Sequence, residues 1–171
     1  NYPIVNESGV NLSRFLAELE SVPQPVMEMF KDRGWKYTID FDYISDFSQL
    51  FGSTVIGVCD SGDRCIYISD ATATLHEFGH FLDYTQGWYS RRSPLFAEES
   101  AAADAFLRDY AMTDHFEYYA EYFVYFLSNQ DNPDRLAKMQ ELTPKTYEHF
   151  TSLAENNWGC PQKAGVTNDS E

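Results

Sequence analysis

Residues 65–82 read Cys65-Ile66-Tyr67-Ile68-Ser69-Asp70-Ala71-Thr72-Ala73-Thr74-Leu75-His76-Glu77-Phe78-Gly79-His80-Phe81-Leu82, and the periodicity changes within them. Cys65 to Ser69 alternates with period two, the mark of a half-buried strand, whereas Leu75, Phe78, Phe81 and Leu82 fall on one face of a helix predicted over Ala71 to Tyr84. Working outward, Lys36 to Asp42 and Thr54 to Val58 are β-branched and aromatic and predict further strands of a small sheet, with Cys65 to Ser69 as its edge strand leading into the helix. Leu12 to Glu20 and Pro25 to Arg33 predict short helices, the second stopped by Gly34. Downstream the pattern stays helical over Ala97 to Tyr110, Phe116 to Ser128, Pro133 to Glu141 and Pro144 to Glu155. A sheet early and helices late is an α+β arrangement. We expect one domain over residues 1–158, with a flexible polar tail over 159–171.

Hydrophobic residues make up 43% of the 171 and aromatics 16%, so a formal net charge of −15 must lie on the surface of a folded protein. Such a surface repels phosphate backbones and anionic lipid heads, and no basic cluster reverses it, so neither nucleic acid nor membrane is expected as a partner. No apolar run approaches the roughly 20 residues that span a bilayer, and no signal peptide opens the chain; export would require a targeting segment removed ahead of Asn1. Cys59 and Cys65 flank a turn-rich Asp-Ser-Gly-Asp-Arg, which makes a disulfide closing that hairpin the favoured expectation over three reduced thiols, with Cys160 left free or paired with either. Asn6-Glu7-Ser8, Asn11-Leu12-Ser13 and Asn168-Asp169-Ser170 fit the glycan acceptor pattern.

The chemistry is concentrated in His76-Glu77-Phe78-Gly79-His80. On a helix His76 and His80 lie one turn apart on the same side and can converge on one zinc ion, while Glu77, about 100° further round, sits beside it as a candidate general base. An extended substrate would pair with the strand that leads into this helix. The bland alternative is a buried histidine pair on a helix face. Against it, two of the chain's four histidines sit in this motif.

A catalytic zinc needs a third protein ligand and one open position. The metzincin continuation asks for Gly and His at the third and sixth places after His80, and Asp83 and Gln86 stand there instead. Glu98 and Glu99 lie at a spacing used by many thermolysin-like peptidases, but the flanking Asn and Asp are replaced by alanines. Glu117 is the better candidate: it opens Glu117-Tyr-Tyr-Ala-Glu121-Tyr-Phe123, and Glu121 follows one turn later on the same face. Two carboxylates within an aromatic stripe are costly to bury unless a cation or a histidine N–H meets them, which makes Glu121 a candidate to orient a ligand.

With these pieces in place the sequence resembles the catalytic domain of anthrax lethal factor and the related secreted Pro-Pro endopeptidases. The resemblance rests on His76-Glu-Phe-Gly-His80, on Tyr110 seven residues ahead of Glu117, on Glu117-Tyr-Tyr-Ala-Glu121-Tyr-Phe123 and on Pro144-Lys-Thr-Tyr147. It implies a thermolysin-like zinc core in which His76, His80 and Glu117 hold one Zn2+ per chain, Glu77 is the base and Tyr110 stabilises the oxyanion or the leaving amine. Glu98-Glu99 would be an acidic pair away from the metal. The implied protein is a secreted, monomeric zinc metalloendopeptidase acting on polypeptides. Alternatives are an exopeptidase or other zinc hydrolase on the same scaffold, or an inactive zinc-binding module; a base beside an open position speaks against the last.

Other residues receive plainer expectations. His115 is read as a surface or capping residue and His149 as solvent-facing. Asp83 is read either as an acceptor orienting His80 or as a solvated carboxylate. The aromatics from Tyr118 to Phe126 are core, with Tyr118 or Tyr122 as possible cleft residues, and Trp88 and Tyr89 are candidates for a loop over the site.

Overall fold

The three strand signals become β2 (Lys36–Ile39), β3 (Gly57–Asp60) and β4 (Cys65–Ile68), and a strand the pattern did not predict, β1 (Ile4–Asn6), joins them in the order β1-β2-β4-β3. The computed structural model describes residues 1–161. The expected tail beyond Pro161 and the acceptor Asn168-Asp169-Ser170 lie outside the described residues. β2 runs parallel to both β1 and β4, and β3 pairs antiparallel with β4, so the sheet is mixed. The strand leading into the motif helix is therefore interior, contrary to the edge position expected for it; the edges are β1 and β3, and β3 is the one beside it. A parallel neighbour cannot be read from a hairpin pattern, because β2 reaches β4 only after a crossover that includes helix α3 (Phe41–Phe51). That crossover also corrects the strand expected through Asp42: β2 stops at Ile39, and Asp40 caps α3 by accepting from Tyr43 N at 2.9 Å.

The β3–β4 register also decides the thiols. Cys59 pairs opposite Ile66 and Cys65 opposite Asp60, so the two side chains project from opposite faces of the sheet. The expected hairpin disulfide is absent, and Cys59, Cys65 and Cys160 are all free.

Helices α1 (Ser13–Glu20), α2 (Gln24–Asp32) and α4 (Thr74–Thr85) bury one aromatic cluster against the sheet. Phe30 lies 4.8 Å from Phe78 and 5.1 Å from Phe81, and Trp35 lies 4.8 Å from Phe81. The later helices are α5 (Tyr89–Arg92), α6 (Leu95–Ala103), α7 (His115–Ser128), α8 (Pro133–Leu142) and α9 (Pro144–Glu155). Phe123 and Phe126 of α7, Phe150 of α9 and Trp158 close a second aromatic layer. The helix expected to run to Tyr110 ends at Ala103; Phe106 turns aside onto Tyr122 and Tyr125, and Asp109–Met112 forms a separate 3-10 turn.

Two local features place α4 against α7. Asp114 caps α7 by accepting from Glu117 N at 2.9 Å, which fixes where the helix starts. Gly79 lets the helices approach: a Cβ there would lie 2.8 Å from Ala120 Cα.

Candidate active site

The α4–α7 crossing faces His76 and His80 with Glu117, the first-turn acid of α7. One ligand atom from each lies within 4.8 Å of the others, an arrangement able to hold a metal ion. His76 Nε2 is 2.8 Å from Glu117 Oε2 and 3.1 Å from His80 Nε2, and His80 Nε2 is 3.4 Å from Glu117 Oε1. On the other edge of the ring, His76 Nδ1 meets Glu121 Oε1 at 2.9 Å.

These contacts test whether the residues fit a cation. With Nδ1–H given to the Glu121 carboxylate, a His76 neutral at Nε2 would turn that lone pair toward a carboxylate oxygen and a second imidazole nitrogen. Glu117 Oε2 is buried and, despite the 2.8 Å approach, accepts no hydrogen bond. Lone pairs converging in a buried place repel unless a positive charge lies among them. Without a metal that charge is a proton: burial would lower the His76 pKa, but Glu117 and Glu121 overcome it and hold it up at about 10, so the cluster stabilises a cation where a metal ion would sit. Burial would likewise raise Glu117, and the two imidazoles instead pull it well below the usual carboxylate range. Two imidazole nitrogens and a carboxylate oxygen are a donor set suited to zinc.

Glu77 follows His76 but points elsewhere, beneath β3, where it is 5% exposed. Burial raises its pKa, and His80 and His76 act against that rise. Gly57 makes room for it: a Cβ at that position would lie 2.9 Å from both Glu77 Cγ and Oε1. Tyr110 is 47% exposed on its 3-10 turn, its ring 5.6 Å from that of His76. Burial and the Glu117 carboxylate push its phenol upward, so it stays protonated. The cleft over these groups is walled by Phe47, Val55 and β3 residues on one side and by Trp88 and Phe116 on the other. Trp88 holds a left-handed backbone, φ 54 and ψ 58, unusual for so bulky a residue.

A family profile described as "Anthrax toxin lethal factor, N- and C-terminal domain" matches residues 5–153. The chain belongs to this family. Among solved structures, a Pro-Pro endopeptidase from Paenibacillus alvei is similar with a TM-score of 0.64 at 20% identity, over 88% of this chain and 97% of that one. No curated protein matches. The lethal factor family thus extends over most of this chain, and the structural neighbour shares its fold.

Several residues of this family member sit differently from expectation. Glu99 lies away from the cluster, as expected, but it has a structural task of its own: it is 5% exposed and caps α9, accepting from Lys145 N (2.9 Å), Thr146 N (2.6 Å) and Thr146 Oγ1 (2.7 Å). Its neighbour Glu98 pairs with Lys145 Nζ. Asp83 neither faces water nor bonds His80. It is fully buried and binds Ser90 N at 2.9 Å and Ser90 Oγ at 2.5 Å, pinning α5. His115 joins that network, its Nδ1 3.2 Å from Ser90 Oγ. His149 is not solvent-facing: it stacks on Tyr89 at 4.1 Å and meets the Tyr119 hydroxyl at 2.8 Å, and burial lowers its pKa to about 4. Tyr118 and Tyr122 are core residues with hydroxyls on Thr146 and Thr143. Trp88 does line the cleft, while Tyr89 packs on His149. Sequence reasoning missed Arg108, which grips Glu121; a lone arginine in an irregular segment carries no periodic signal.

Proposed function

We propose that this chain is a secreted, monomeric zinc metalloendopeptidase, with His76, His80 and Glu117 holding the metal, Glu77 as general base and Tyr110 as hydroxyl donor. The observation that carries this reading is the convergence of two imidazole nitrogens and an orphaned carboxylate oxygen beside a separate buried glutamate. Family membership and an endopeptidase as structural neighbour support a peptidase. With the thiols free, export has only the family resemblance behind it.

When bound, zinc would supply Lewis acidity to the scissile carbonyl and to the attacking water. The chain's own groups do the rest. Glu121 holds the Nδ1–H of His76, which leaves Nε2 as the donor atom. Glu77 takes the proton of the water that attacks the peptide carbon, and passes it to the departing amine as the C–N bond breaks. Tyr110, protonated and half-exposed at the rim, donates a hydrogen bond to the oxyanion. β3, the free sheet edge bordering Glu77, offers backbone N–H and C=O groups to an extended polypeptide.

Metal analysis of the untreated protein together with a peptide-library digest tests this function. We expect one zinc per chain, lost in His76→Ala, and cleavage within peptides. Glu77→Gln should keep its zinc and lose about 10²–10⁴-fold or more in kcat, and Tyr110→Phe about 10²–10³-fold with zinc and fold intact. A well-folded protein without zinc, or full activity in Glu77→Gln, defeats the reading.

A further inference from the structure

Arg108 lies outside the motif, yet it touches two of the groups that meet His76, Glu121 and Tyr110. Its Nε donates to Glu121 Oε2 at 2.9 Å and its Nη2 to Glu121 Oε1 at 2.6 Å. Each carboxylate oxygen thus receives one arm of a planar fork, which pins the plane of the carboxylate as well as its position. Oε1 keeps a lone pair for His76 Nδ1, 2.9 Å away. The Cζ of the same guanidinium lies over the Tyr110 ring, 5.3 Å from its centre, and that ring in turn is 5.6 Å from the His76 ring. The backbone adds a third link, since Arg108 immediately precedes the 3-10 turn Asp109–Met112 that carries Tyr110, and its carbonyl accepts from the N–H of fully buried Ala111 at 3.0 Å.

We propose that Arg108 is a positioning residue for the whole site: through Glu121 it fixes the His76 imidazole, and through its place over the ring and its turn it holds Tyr110, so one guanidinium sets both the metal ligand and the hydroxyl donor. This rests on the zinc-peptidase reading above. An arginine with a 68% exposed side chain on a surface carboxylate would ordinarily contribute little. Here the carboxylate is only 10% exposed and its other partner is a ligand candidate. The role also requires arginine in particular. Lysine brings the same charge as a point, without the fork that pins a plane or the face that meets a ring. Arg108 lines a groove with Phe106, Leu107, Glu121 and Tyr125 and is not among the residues that line the substrate cleft. Its loss should therefore leave substrate binding alone.

The test compares wild type with Arg108→Met, Arg108→Lys, Glu121→Gln and the double variant Arg108→Met/Glu121→Gln. Zinc affinity is measured by chelator competition on metal-free protein, ligand geometry by the visible absorption of the cobalt-loaded form, and kcat and KM on a cleaved peptide. Arg108→Met should bind zinc about 10-fold or more weakly, shift the cobalt spectrum, and lower kcat by a similar factor with KM nearly unchanged. Arg108→Lys should recover little of this, and the double variant should bind zinc no worse than Glu121→Gln alone, because both act through one carboxylate. Wild-type zinc affinity and kcat in Arg108→Met, full recovery in Arg108→Lys, or additive losses in the double variant would each overturn the proposal. If Arg108→Met does not fold, Arg108→Lys decides, and wild-type behaviour there overturns it. A wild-type protein that takes up no zinc would sink the parent reading before any variant is made; one that does, with Arg108→Met unchanged, sinks this inference alone.

Discussion

At the scale of the residue, the site turns on three glutamates, Glu99 and Glu121 buried and Glu117 partly so, that differ chiefly in what meets them. Glu117 meets two imidazoles, Glu121 meets His76 and Arg108, and Glu99 meets the first amides of α9. Sequence spacing admits both Glu99 and Glu117 as third ligand, and local composition separates them for a reason that is only half right. The aromatic helix around Glu117 does signal a buried carboxylate needing a partner. The small residues after Glu99, however, let α9 settle against it, so that carboxylate is buried too. Glu117→Ala should keep the fold and weaken zinc by orders of magnitude. Glu99→Ala should keep zinc but lose about 2–3 kcal/mol of stability, because two helix N–H groups and a hydroxyl lose a charged acceptor. Chelator competition and denaturant unfolding of the two variants separate the roles; zinc loss in Glu99→Ala with retention in Glu117→Ala would reverse the assignment.

At the scale of the element, the crossing of α4 and α7 makes the site, and Gly79 makes the crossing. The glycine sits inside the motif, where a helix would prefer alanine. Its reason lies on the other helix, since any Cβ would press on the Ala120 backbone at 2.8 Å. Backbone cannot swing away as a side-chain tip can, so Gly79→Ala must push the helices apart. We expect a loss of about 1–3 kcal/mol and weaker zinc binding, as Glu117 moves relative to the two histidines. Thermal unfolding and chelator competition check both; an unchanged Tm would mean that the crossing is looser than its geometry. Strand β4 and helix α4 were legible in advance because period two and period 3.6 are written in adjacent residues. α3 was not, because its start depends on the Asp40 cap inside an aromatic, strand-like run.

At the scale of the whole molecule, the half-buried imidazole of His149 ties stability to pH. It faces Tyr119 of α7 and both Tyr89 and Arg92 of α5, none of them an anion that would favour its charged form. Its folded pKa of about 4 lies below the ordinary value of 6.5, so its contribution is full above pH 6.5 and is lost as pH falls from there toward about 4. At about 1.4 kcal/mol per pH unit the ceiling is about 3 kcal/mol, less what water screens at the partly exposed ring. Tm measured across this range should fall more steeply in wild type than in His149→Gln; parallel curves would show that His149 is hydrated. A histidine on a predicted helix reads as solvent-facing until another helix covers it, and here the cover is Tyr89, sixty residues earlier in the chain. The same division runs through the molecule. Sequence alone determined the α+β class, the motif helix with His76, Glu77 and His80, and the family, because each is carried by neighbours in the chain at a helical or strand period. Tertiary structure decided that β3 and not β4 is the edge at the site, that Cys59 and Cys65 face apart, that Glu99 caps a helix, and that Arg108 grips Glu121. Those outcomes depend on which distant segments meet and in what register, and the pairing energies that settle them are not encoded in any local period.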